Sequence, residues 1–366
     1  MFWDMRAKIC FVISIVILIS VCAGCGGSKN TYFLSQPYLY VKDVKVERLE
    51  VNRSIKEGEN YNALTSYVCD SLCFLFTHKD RYYNYSVLNL NNGKHEGYFL
   101  RRGNGPLESY NVAPIFEIYK EGGDMKSQIY DLNKHRFFYC NITESVKQGV
   151  SVYDTIKHVQ LEDKNIQSIA YNTLLDDNRT VVAFNSKEMR DLGKVITPKF
   201  AVLSKDEMRI EREYKVFCDS VVDFRTVGKW EMYAPFNIKI STNKKVGKVA
   251  FAMANMPQLN ILDLNTGELK CKRIEGLPEE TINKNILFYM MTRCDENYVY
   301  ALYRNHNRED DIKSQRKRPC EVHIFDWDGN LVRRCELNRN YNDISVTNGK
   351  LYGFYYYDGT IDEYLL

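Results

Sequence analysis

The sequence predicts an all-β fold, a six-bladed β-propeller whose ring is closed by an N-terminal strand joining the last blade. Three observations lead there: short apolar runs rich in aromatics, tight-turn dipeptides between them, and near-regular spacing of those turns. The chain has 366 residues with 27 Tyr, 18 Phe and only eight Pro. Strand-length runs are Leu72–Thr77, Tyr85–Leu90, Gly247–Met253, Leu259–Leu264, Tyr298–Tyr303 and Val322–Trp327. Such β-branched and aromatic runs of five to eight residues read as strands. After the first 25 residues, no window sustains helical spacing beyond a turn or two.

The turns set the repeat. Asn91-Asn92-Gly93, Ser204-Lys205-Asp206, Asn265-Thr266-Gly267 and Asp328-Gly329-Asn330 each follow an apolar strand. Asn-Gly and Asp-Gly residues supply the positive φ of tight hairpins. Taken at residues 93, 205, 267 and 329, these turns lie 112, 62 and 62 apart, and one more hairpin within residues 130–150 would complete the series. A unit of about 40–60 residues holding four short strands is the mark of a propeller blade.

Five units then occupy about residues 60–340. The remainder has room for three strands, Ile344–Val346, Leu351–Tyr357 and Ile361–Leu365. A four-stranded sixth blade lacks one, and Tyr40–Val51 is expected to supply it, covering an edge otherwise left open. A pair of β-sandwiches or another solenoid is the competing architecture.

The N-terminus carries a different signal. Arg6 and Lys8 precede the apolar run Ile9–Val21 and then Cys22-Ala23-Gly24-Cys25. A charged start, an apolar stretch and small residues form a secretory signal. The run is shorter than the roughly 20 residues a membrane span needs. A Cys after Ala-Gly resembles the lipobox of bacterial lipoproteins, which implies cleavage before Cys25 and a diacylglycerol on its thiol. Cys22 stands where that motif usually has Leu. A frame using Cys22 would place bulky Val21 beside the cut, and a plain secretory signal is the remaining alternative. The expected organisation is a signal peptide over 1–24, a lipidated Cys25 with a flexible tether over 25–36, and the propeller over 37–366.

Arg101–Glu108 (RRGNGPLE), residues 322–338 (VHIFDWDGNLVRRCELN) and residues 249–269 (VAFAMANMPQLNILDLNTGEL) together resemble the TolB-like six-bladed β-propeller lipoprotein family of Gram-negative bacteria. The resemblance implies a fold and a lipid-anchored place in the cell envelope, at the outer membrane facing the periplasm or the cell surface. It implies no reaction.

Composition narrows the function classes. Fifty Lys and Arg against 47 Asp and Glu give no basic excess, which argues against a nucleic-acid partner. Cys69, Cys73, Cys140, Cys218, Cys271, Cys294, Cys320 and Cys335 show no metal spacing, and most read as core thiols. Gly103-Asn104-Gly105 does not open a helix and reads as an inter-blade turn rather than a nucleotide loop. Asp326-Trp327-Asp328-Gly329-Asn330 lacks the ligand spacing of a calcium loop and reads as a hairpin. None of the six His falls in a zinc motif, and no nucleophile elbow or phosphate loop occurs.

No catalytic residue, metal ligand or cofactor is therefore assigned. The charged stretch Asn305–Arg318 is the candidate binding loop, with Lys313, Arg316, Lys317 and Arg318 as its cations. The aromatic stretch Tyr352–Tyr357 is expected to serve mainly as core. The expected function is a membrane-tethered binding or scaffold module for a protein or glycan ligand. The alternative is a carbohydrate or lactone hydrolase or lyase acting in the central channel.

Overall fold

The computed structural model describes residues 38–56, 63–77, 80–114, 117–159, 166–176, 179–186, 198–204, 206–216, 237–277, 286–314 and 318–366. The signal, the whole tether over 25–36 with Cys25, Cys218, Arg316 and Lys317 lie outside them.

The chain begins with three short strands, β1 Leu39–Val41, β2 Val46–Arg48 and β3 Arg53–Lys56. Blade 1 follows as β4 Ala63–Cys69, β5 Leu72–Thr77, β6 Tyr83–Asn89 and β7 Lys94–Arg101. Blade 2 is β8 Tyr119–Glu121, β9 Asp124–Asp131, β10 Arg136–Asn141, helix α1 Ile142–Gln148 and β11 Val152–His158. Blade 3 is β12 Ile166–Leu174, β13 Arg179–Ser186, β14 Pro198–Ser204 and β15 Ile210–Tyr214. Blade 4 is β16 Ile238–Asn243, β17 Lys248–Met253, β18 Leu259–Asp263 and β19 Leu269–Ile274. Blade 5 is β20 Ile286–Cys294, β21 Tyr298–Asn307, helix α2 Arg308–Lys313, β22 Cys320–Asp326 and β23 Leu331–Leu337. Blade 6 holds β24 Asp343–Thr347, β25 Lys350–Tyr355 and β26 Thr360–Leu365, with β3 as its fourth strand.

The six sheets make a six-bladed propeller, and the core proves the ring. Six apolar clusters fill the six seams between neighbouring blades. Strand alternation feeds two seams from one strand: Val249 and Phe251 face blade 3 while Ala250 and Ala252 face blade 5. The sixth seam joins Ile361 and Phe354 of the last blade to Val68, Cys73 and Leu75 of the first, with Ile55 of β3.

Two expectations need correction. Tyr40–Val51 does not close the ring; Arg53–Lys56 does, pairing antiparallel with β26 from Lys56 opposite Thr360 to Arg53 opposite Glu363. The earlier segment breaks into β1 and β2, which lie parallel on the outer edges of β19 and β23. Length explains it: a continuous strand of that size would run about 40 Å, twice a blade strand of six residues. The hairpin expected within 130–150 is also different. The third and fourth strands of blade 2 are joined by α1. Asn141 caps this helix by accepting from the Glu144 N–H at 3.0 Å, and Gly149 ends it in the left-handed region. The other four turns do join third and fourth strands, although Lys205 lies outside the described residues.

The cysteines are core thiols as expected. Cys73, Cys140, Cys271, Cys320 and Cys335 are buried and unbridged, and Cys69 and Cys294 are half-buried and free.

Candidate functional site

The first strand of each blade is the innermost one, and all six run in one direction. They end in short turns, among them residues 70–71, 122–123, 244–247 and 348–349. That end of the channel is the turn mouth. The opposite end, where the inner strands begin, is the entry mouth. The described residues 102–114 lead toward it from the end of β7.

Three inner strands are locked together in mid-channel. Arg293 of β20 reaches across to β24, where Nη2 donates to both carboxylate oxygens of Asp343 at 3.1 Å. Its Nε donates to the Ile344 carbonyl and Nη2 to the Ser66 carbonyl of β4, both at 2.9 Å. Asp343 also accepts the Ser66 N–H at 2.9 Å and the Ile344 N–H at 2.7 Å. Ser345 accepts the Val68 N–H at 2.9 Å. Burial pushes the Asp343 carboxyl above its usual range, opposed by Arg293 and the two backbone N–H groups. The Ser66 and Thr292 hydroxyls are buried, with no partner among the described residues. Ser66 and Asp343 also line a small, partly open pocket with Asn342, Phe354 and Tyr356.

Lys239 of β16 adds a further charge. Its neighbour Ile240 packs into the seam with blade 3, so alternation turns Lys239 the other way, toward blade 5. The side chain is surrounded by protein yet only half-buried, as a group facing a narrow channel should be. Burial holds its ammonium below the usual lysine range; Asp343 opposes that and Arg304 adds to it. Arg304 of β21 is buried and donates to the Tyr341 carbonyl.

Toward the turn mouth the charges are matched. Glu117 accepts the Thr173 hydroxyl at 2.6 Å and pairs with Lys244. The Tyr171 hydroxyl bonds Thr242 at 3.0 Å, and the Cys294 thiol donates to the Thr242 carbonyl at 3.3 Å. Burial pushes that thiol up to about 12, so it stays protonated and is a poor nucleophile at neutral pH.

The candidate loop is not gathered into this cluster. Asn305–Asn307 extend β21 and residues 308–313 form α2, so much of the expected loop is regular structure. Lys313 is exposed and meets Glu309 at 4.0 Å; Arg318 is exposed. Both connect the second and third strands of blade 5 and so belong to the entry-mouth end. The Gly103–Glu108 segment is the inter-blade link expected. Glu108 folds back to accept the Gly105 N–H at 3.0 Å, and a Cβ at Gly103 would collide with its carboxylate. Asp326 accepts the Asp328 and Asn330 N–H groups at 2.9 and 2.8 Å, the hairpin geometry. Tyr352, Phe354 and Tyr355 are core. Among the described residues, no group of His, Cys, Asp or Glu could hold a metal ion.

Sequence reasoning missed Lys239, Arg293 and Asp343. The available signal was a charge inside a strand-like run, as in IKISTN or FYMMTRC. Outer strands such as β15 also carry charges toward water, so that signal alone does not mark the channel.

No family model matches the chain, and no curated protein matches it. Solved structures do. A member of the DUF4221 family from Bacteroides vulgatus superposes with a TM-score of 0.53 at 10% identity, covering 87% of this chain and 97% of that one. A putative exported protein from Bacteroides fragilis superposes with a TM-score of 0.51 at 12% identity, covering 90% of this chain and 99% of that one. At these identities the likeness shows the fold alone.

Proposed function

We propose that the protein is a ligand-binding module of the cell envelope, anchored through lipid at Cys25, with the entry mouth of its channel as the binding end. The observation that carries this reading is the cluster around Arg293, Asp343 and Lys239. Polar groups of several blades are held there by cross-blade hydrogen bonds, on a rigid ring. The ligand is a protein or glycan. The lipobox-like signal and the resemblance to TolB-like lipoproteins support the envelope location.

The direction of the first strands supports an orientation. β1 and β2 run parallel to the fourth strands of blades 4 and 5, from turn mouth to entry mouth. β1 therefore starts on the turn-mouth side, which favours an orientation with the turn mouth toward the membrane and the entry mouth accessible. No described helix is long and apolar enough to cross a membrane.

Two measurements test this. Intact mass of the N-terminal peptide should show a diacylglycerol-modified Cys25, and Cys25→Ala should release the protein; an unmodified chain starting at or before Ala23 sinks the anchor. Glycan and peptide arrays probed with the full mature chain should yield a ligand that Asp343→Asn or Arg293→Lys weakens. A ligand indifferent to both variants removes the channel from the reading.

A further inference from the structure

We propose that Lys239 receives an oxyanion of the ligand, a carboxylate or a phosphate, at the entry mouth of the channel. This deepens the reading above and rests on it for the location of the binding end.

Lys239 has no hydrogen-bond or ion-pair partner among the described residues. The charged groups that act on it are Asp343 and Arg304. Asp343 is already engaged by Arg293 through both oxygens, by the Ser66 N–H and by the Ile344 N–H. Arg304 has the same sign as Lys239. Among the described residues, the one carboxylate that acts on Lys239 is therefore already held by Arg293 and two backbone N–H groups. Glu117 does not serve it either, because Lys244 and the Thr173 hydroxyl occupy that carboxylate.

An enclosed ammonium without a counter-ion is costly, and an arriving anion removes that cost. An ammonium is a compact charge with three rotatable donors, suited to a single oxyanion rather than to a forked planar contact.

The test uses the full mature chain with acetate, glucuronate, triglycine and inorganic phosphate, each against matched chloride. Calorimetry and thermal melting are the readouts, and the preferred anion separates carboxylate from phosphate sources. At least one anion should bind. Lys239→Met should weaken it about tenfold or more, and Lys239→Arg should retain most of the affinity. Without any variant, the same anion should slow acetylation of Lys239 by acetic anhydride, read by peptide mapping, and leave Lys313 unaffected.

Binding unchanged in Lys239→Met, or no binding by any of the four, overturns the proposal. So does a Lys239 acetylation rate indifferent to every anion, as would follow if a carboxylate of this chain already satisfied the ammonium. A protein or glycan ligand that survives Lys239→Met would leave the binding-module reading standing while removing this one.

Discussion

Blades 4–6 and blades 1–3 are secured at their outer edges in different ways. In the first group the N-terminal segment adds backbone: β1 to blade 4, β2 to blade 5 and β3 to blade 6. Ion pairs reinforce this strap, Arg334 to Asp43 at 2.8 Å and Arg333 to Glu47 at 2.6 Å. Asn52 and Ser54 bond the Glu363 and Asp362 carboxylates at 2.6 and 2.5 Å. In the second group β7, β11 and β15 are outer strands with no strand added. There side chains hook the links between blades. Lys134 and Arg136 of blade 2 both donate to the Glu108 carbonyl, at 3.2 and 2.9 Å, and Lys134 also takes Gly105 at 2.7 Å. The helix α1 lays Val146 against Gly97 of blade 1. All three added strands come from the segment preceding blade 1, which passes blades 4, 5 and 6 in turn.

The largest effect should come where the strapped half meets blade 1. Arg293→Ala leaves Asp343 buried without its cation and should cost about 3–5 kcal/mol in denaturant unfolding. Replacing both groups, as Arg293→Met with Asp343→Leu, should cost clearly less; equal losses would mean the pair is not what closes this seam.

A pair of glycines comes next and compares the halves directly. A Cβ at Gly353 would lie 2.7 Å from the Tyr341 ring, whose hydroxyl is tied to Asp362, Asn338 and Tyr364. Gly353→Ala should therefore cost about 1–3 kcal/mol. Gly97→Ala meets only a Val146 methyl at 3.0 Å on a short helix that can shift, so its loss of melting temperature should be the smaller. The reverse order would show that α1 is held more rigidly than the strap's own blade.

The strapped half should also be the acid-sensitive one. His323 is fully buried in blade 5, bonded to Tyr289 at 3.1 Å and to Glu321 at 3.1 Å. Burial lowers its pKa below 6.5; Glu321 opposes, Arg334 adds to the lowering and Asp43 opposes weakly. The unfolded chain then takes up the proton first. This contribution is fully present above pH 6.5 and is lost as pH falls below it. His323→Gln should flatten the acid limb of a stability-versus-pH curve, and an unchanged limb would refute the assignment.

The smallest effect belongs to exposed pairs. Glu296→Ala removes a largely exposed partner of Lys245 and should change stability by less than about 1 kcal/mol in thermal melts.

Much of this architecture was legible in the chain. Asn and Gly at residues 92–93, 265–267 and 328–330 mark turns because few residues adopt positive φ, and Gly93, Gly267 and Gly329 do adopt it. The three strands of blade 6 fall within two residues of where the apolar runs place them. An added N-terminal strand was legible, but where the strap breaks and attaches was not. β2 is exposed along its whole length and β1 along most of it, so neither shows the one-sided burial that a period-two pattern reports. The helix α1 was hidden because one turn of Ile142 and Val146 is too short to give a period.

The sequence by itself determined the repeat, the turn chemistry, the apolar seams and the lipobox-like start, because each depends on residues close together in the chain. Only the tertiary structure decided which N-terminal residues close the ring and which charges meet in the channel. Lys239, Arg293, Arg304 and Asp343 come from three different blades, and ring closure brings Ser66 to them from the far end of the chain. A meeting of charges from such distant residues has no signature in any local window.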